Sequence, residues 1–133
     1  MPQLIMGMKS GMSVKKDIAE NDFKHLLGKK IKDHVKGESI GYPGYEFEVM
    51  GGSDYCGFPM RWDVPGVARK RILAVAGVGL KKTANGIKHR KTVCGNTIHP
   101  KITQVNLKVL KEGATPLAVP KAEGEKKEAE AKK

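Results

Sequence analysis

Residues 41–60 read GYPGYEFEVMGGSDYCGFPM, and the fold is decided by what those positions alternate between. Gly41-Tyr42-Pro43-Gly44 is turn chemistry, with proline presetting one backbone angle and glycine free to take the mirror conformation. Tyr45-Glu46-Phe47-Glu48-Val49 then places Tyr45, Phe47 and Val49 on one face and two carboxylates on the other, the period of a half-buried β-strand. The two glycines and Asp54 that follow predict a tight, specifically built turn into a second strand.

Outward from that strand, the same pattern recurs in short pieces. Gln3 to Met8 is apolar, Lys9-Ser10-Gly11 is a turn, and Met12 to Ile18 resumes with mixed alternation, which predicts an N-terminal hairpin. Asn21 is a candidate cap for a short helix through Leu27, whose Phe23, Leu26 and Leu27 share a face, with Gly28 as its stop. Ile31 to Val35 is ambiguous. Arg71 to Ala76 predicts a short buried strand, Thr92 to Ile98 another, and Val105, Leu107 and Val109 a last one, alternating with Asn106 and Lys108. Short strands between Gly- and Pro-rich turns predict a mainly β fold, a small antiparallel β-barrel or sandwich with one short helix.

Charge divides the chain more sharply than hydropathy does. Residues 1–60 hold 8 lysines and 8 acids, whereas residues 61–112 hold 12 Lys and Arg against Asp63 and Glu112 alone. From Val64 to Lys111 there is no acid, a bias that solubility does not require and an extended polyanion does. The tail from Gly113, GATPLAVPKAEGEKKEAEAKK, has too little apolar surface to offset the entropy of ordering and is expected to be disordered in isolation. The expected organisation is therefore a β-rich domain over 1–112 that faces a polyanion and a low-complexity Ala/Glu/Lys tail over 113–133.

Candidate catalytic and metal chemistry fails position by position. Ala74 to Thr83, AVAGVGLKKT, superficially follows a phosphate-binding loop, but Lys81 stands where that loop needs glycine and Asn85-Gly86 ends any helix. His89, Cys94 and His99 recur every five residues, without the paired ligands or the fourth member of a structural zinc site. Asp54 and Cys56 have no histidine beside them to activate a thiol. No metal, no cofactor and no enzymatic activity are expected. Two lone cysteines and the lack of a leader fit a reduced cytoplasmic setting, and the longest mainly apolar run, Ile72 to Leu80, is far short of the roughly 20 residues of a membrane-spanning helix, so no membrane partner is expected.

What survives is cationic. Arg69-Lys70-Arg71, Lys81-Lys82 and Lys88-His89-Arg90-Lys91 recur at intervals of about ten residues near the ends of expected strands, as loops forming a phosphate-facing surface would. Aromatic residues are only 5% of the chain, which favours phosphate and shape recognition over a row of stacked bases. Charge alone names a polyanion and not which one.

A resemblance narrows that choice. Val49, Met50, Gly51, Gly52, Asp54, Gly57, Pro59 and Met60 match, position by position, the signature of protein six of the archaeal and eukaryotic small ribosomal subunit, the S-six-e family, which is distinct from bacterial protein six. Leu27 to Ile31, Gly41 to Tyr45, Arg61 to Gly66, KHRKTVCGNTI and TQVNLKVLKEG also resemble the archaeal short form, so the likeness covers residues 2–113. It implies a structural, ribosome-bound cytoplasmic protein whose partners are small-subunit ribosomal RNA and neighbouring ribosomal proteins.

On that footing Arg61, Arg69, Lys70, Arg71, Lys81, Lys82, Lys88, His89, Arg90 and Lys91 are the expected RNA contacts. Gly51, Gly52 and Gly57 are expected to permit positive φ and close approach, and Asp54 to accept backbone amides. Phe58-Pro59-Met60 would fold back as apolar cover before an outward Arg61. Two departures matter. Cys94 stands where the family commonly has arginine, which puts one phosphate contact in doubt, and no serine follows Ser53, so the eukaryotic tail phosphorylation does not carry over.

Overall fold

A computed structural model describes residues 2–81, 84–113 and 117. The N-terminal hairpin is present as β1 (Gln3–Gly7) and β2 (Ser13–Asp17), paired antiparallel from Gln3 opposite Asp17 to Gly7 opposite Ser13. A short helix, α1 (Glu20–Lys24), and the strand β3 (His34–Lys36) follow, then a 3-10 turn over Gly37–Ile40. The long strands β4 (Glu46–Asp54) and β7 (Ile102–Lys111) enclose in sequence the shorter β5 (Lys70–Ala74) and β6 (His89–Val93).

Five strands form one sheet in the order β2-β1-β7-β4-β3, with β1 parallel to β7 and the other pairs antiparallel. The sheet has two edges, β2 and β3, so of the two expected architectures the open, sandwich-like one is observed and the closed barrel is not. Alternation explains its buried face: Leu4 and Met6 of β1, Phe47 and Val49 of β4, and Val105, Leu107 and Val109 of β7 are all buried. Phe23 and Leu26, Ile98 and Ile102, and Met60 close over them in a single core cluster. Tyr45 and Phe47 stack at 5.8 Å between centroids, with Tyr42 edge-on to both.

Several expectations shift once packing is seen. Asn21 does not cap the helix: Ala19 holds that position without a side-chain bond, and Asn21 Oδ1 instead accepts from Lys24 Nζ at 3.1 Å. The expected Thr92–Ile98 strand starts earlier, as His89–Val93, and beyond it only isolated bridges at Cys94 and Thr97 continue. Arg71–Ala76 was expected to be buried, but β5 pairs only with β6, neither joins the five-stranded sheet, and Leu73 is 55% exposed. The ribbon is covered on one face only, so Leu73 reads as core in sequence and lies at the surface in space, while Ile72 is half-buried. The expected tail lies outside the described residues except for Gly113 and Leu117, and Leu117 is buried in the core cluster.

The expected turn after the alternating strand is mostly more strand. β4 runs on through Gly51-Gly52 to Asp54, and a register shift between Val49 and Gly51 leaves Met50 as the extra, outward residue of a bulge. Glycine at 52 follows from close approach: a Cβ there would collide with the carbonyl oxygen of Gln104 on β7. Gly52→Ala should therefore lower stability by about 1–3 kcal/mol, the usual range for overpacking. A drop in the urea midpoint with an unchanged slope checks this, and an unchanged midpoint would mean that β7 gives way freely at Gln104.

Candidate nucleic-acid interface

The signature residues build a small bracket around a buried carboxylate. Asp54 is 3% exposed at the end of β4. Its Oδ1 accepts the backbone N–H groups of Cys56 and Phe58, both at 3.0 Å, and its backbone carbonyl accepts from Gly57 N–H at 2.9 Å. The turn closes only because residue 57 takes φ +82°, which suits glycine. Phe58 and Pro59 are half-buried and Met60 is in the core, so the expected apolar cover is observed.

Asp54 Oδ2 takes a cation from fifteen residues away: Arg69 Nε donates to it at 2.6 Å. The Arg69 guanidinium lies 4.8 Å from the Tyr55 ring centroid and 5.0 Å from that of Phe58, between the two aromatic residues that flank the loop. Burial pulls the Asp54 carboxyl upward, but the Phe58 amide, Arg69 and the Cys56 amide together outweigh it and hold the group below its ordinary value. Arg69, hydrogen-bonded to Asp54, is held charged with its pKa raised. Arg69 is thus the pin that fastens the start of β5 to the end of β4.

Arg61 is also turned inward. Its side chain is only 17% exposed, its Nε donates to Asp63 Oδ1 at 2.6 Å, and its Nη1 is buried with no hydrogen-bond partner among the described residues. The expectation that Arg61 faces outward is therefore corrected: the guanidinium reaches back toward Gly77, in the connection between β5 and β6. Hydrogen bonding to Arg61 outweighs the upward pull of burial and holds the Asp63 carboxyl below its ordinary value.

The remaining cations stand on the ribbon. The register sets Arg71 opposite Thr92 and Leu73 opposite Arg90, so Arg71, Leu73 and Arg90 share one face, which is exposed. Ile72, Ala74, His89 and Val93 belong to the other face and are buried or half-buried, while Lys70 and Lys91 on that face still keep exposed positions. Lys81 and Lys88, in the connection, are exposed. The clusters at 69–71 and 88–91 lie largely within strands, and among the described residues of the three clusters the expected loop placement holds for Arg69, Lys81 and Lys88. Lys82 lies outside the described residues. His89 has its Nε2 enclosed without a hydrogen-bond partner among them, which separates it from the exposed cations.

Cys94 is fully buried in the core, where burial pushes its thiol up. A side chain there packs against the body of this protein. The Asp54–Arg69 pair and the inward Arg61 were not readable from sequence, because spacing alone does not show which acid a cation meets.

A family model described as Ribosomal protein S6e matches residues 1–122. The chain is 39% identical over 120 residues to the small ribosomal subunit protein eS6 of Methanocella arvoryzae, covering 90% of this chain and 84% of the relative. It is 41% identical over 114 residues to that of Methanosphaera stadtmanae, covering 86% and 88%. It is 42% identical over 105 residues to that of Methanothermobacter thermautotrophicus, covering 79% and 83%.

Because the Asp54 carboxyl titrates below its ordinary value of 3.8 in the folded state, the stability it contributes is fully present above that value and is lost as pH falls through the depressed folded value. Asp54→Asn should lower the denaturation midpoint at neutral pH and flatten the acid limb of stability against pH. Parallel pH profiles for the two proteins would show that the pair contributes nothing.

Proposed function

The chain belongs to the ribosomal protein S6e family, and from that premise we propose that it is a structural, non-enzymatic constituent of the small ribosomal subunit that binds ribosomal RNA through the β5–β6 ribbon. The relatives bear the name of a small-subunit protein, and the same assembly is assigned here to this chain, with the ribosome in the cytoplasm as its location. The observation that carries the reading is the set Lys70, Arg71, Lys81, Lys88, Arg90 and Lys91: all exposed, all on one ribbon or its connection, within a stretch from Val64 to Lys111 that has no acid.

The mechanism is charge neutralisation joined to shape. Cations on a narrow two-stranded ribbon displace the counterions of a folded RNA, and the pinned base of the ribbon fixes the angle at which they meet it. Arg61 and Arg69, paired with Asp63 and Asp54, act by positioning. The acid-balanced first half supplies the framework and a side for neighbouring ribosomal proteins. Residues 1–112, with Leu117 packed on them, form the RNA-binding unit, and the remainder of 113–133 is a charged extension.

Gradient sedimentation of native extract at rising salt tests assembly: co-migration with small subunits that survives moderate salt is expected, and recovery only in light fractions would leave a free RNA-binding protein. For the surface itself, neutralising Lys70, Arg71, Arg90 and Lys91 together should reduce the slope of log affinity on log salt by about 3–4, close to one per lost phosphate contact. An unchanged slope would move the RNA contact off the ribbon.

A further inference from the structure

Trp62 is the single tryptophan of the chain, and it is 62% exposed. A large aromatic side chain ordinarily contributes by burial, and this one is held where it contributes little. Its mounting is nevertheless firm. Arg61 N–H donates to the Cys94 carbonyl at 3.1 Å, Asn96 Nδ2 donates to the Trp62 carbonyl at 3.3 Å, and Asn96 N–H donates to the carbonyl of buried Val64 at 2.9 Å. The ring therefore projects from a turn tied on both sides to the segment that continues β6.

A cation is placed on it. Lys32 Nζ stands over the ring, 5.0 Å from its centroid. Lys32 is the one non-glycine with positive φ among the described residues, at +78°, and its N–H is held by the Val49 carbonyl at 2.7 Å. The left-handed backbone is unfavourable for lysine and is imposed by the surrounding fold, which fixes where this side chain starts. The result is an aromatic surface with positive charge beside it, at the root of the cationic ribbon: the neighbouring Arg61 reaches Gly77 of the ribbon's connection, and Asn96 lies three residues beyond the end of β6.

We propose that Trp62 is a stacking platform for an unpaired RNA base, with Lys32 supplying the adjacent cation. The proposal rests on the reading of the ribbon as an RNA-binding surface and adds a contact that charge neutralisation does not make. An exposed indole offers a flat face to a base; paired bases already stack on one another, so the base it takes belongs to a loop, bulge or single-stranded junction next to the helix that the ribbon grips.

The emission of a single tryptophan reports on Trp62 alone, which makes the test direct. The full chain is titrated with a single-stranded oligoribonucleotide and, separately, with a fully paired RNA duplex, at several salt concentrations. Saturating single strand should quench the emission while the duplex binds without quenching it. Trp62→Ala should weaken single-strand binding about tenfold, the effect of losing one stacked base, leave duplex binding unchanged, and preserve the salt slope because no phosphate contact is removed. Trp62→Phe, which keeps a ring, should retain most of the affinity. Unquenched emission at saturation, an equal loss for duplex and single strand, or a response only to added small-subunit proteins would overturn the stacking platform and leave the ribbon in place. Failure of both RNAs to bind would overturn the ribbon reading together with it.

Discussion

One buried carboxylate organises the region on which function depends. Asp54 ends the central strand β4, closes its own loop by taking the amides of Cys56 and Phe58, and uses its other oxygen to hold Arg69. A carboxylate removed from water is costly unless it is paired and hydrogen-bonded, and here two amides on one oxygen and a guanidinium on the other do both. The same set of bonds fastens the start of β5. The loop and the start of the ribbon thus share an anchor at Asp54.

That anchor accounts for the proposed division of labour among the cations. Those near the body, Arg61 and Arg69, have acids beside them and are used to hold geometry. Those farther along the ribbon have no acid within their stretch of chain and remain exposed. Isolated two-stranded ribbons are marginal on their own, so a ribbon intended for a defined docking angle needs fixing at its base. Arg69 between Tyr55 and Phe58 supplies one fixing point, and Arg61 against Gly77 supplies another.

Much of the body was legible because its sequence obeys a single period. Tyr45 to Val49 and Val105 to Val109 alternate cleanly and are the buried rows of β4 and β7. The hairpin at Lys9-Ser10-Gly11 was equally plain, since turn residues sit between two apolar runs. The ribbon reads as interior throughout because Leu73 looks the same in a pair of strands covered on one face as in a packed sheet. The signature was legible as a specific structure and Asp54 as an acceptor of backbone amides, but the pairing of Asp54 with Arg69 was not. A cation fifteen residues from its acid leaves no mark in spacing or periodicity. Cys94 likewise became interpretable only when its burial showed that its position faces the core.

The account stands or falls on which lysines face RNA in the assembled particle. Lysine acylation of the free protein and of the protein within small subunits, read residue by residue by mass spectrometry, measures this directly. The predicted result is strong protection on assembly at Lys70, Lys81, Lys88 and Lys91, with Lys9, Lys15, Lys24 and Lys29 of the acid-balanced half labelled nearly as in the free protein. Equal protection of both sets, or protection confined to the first half, would contradict the assignment of the ribbon as the RNA-facing surface.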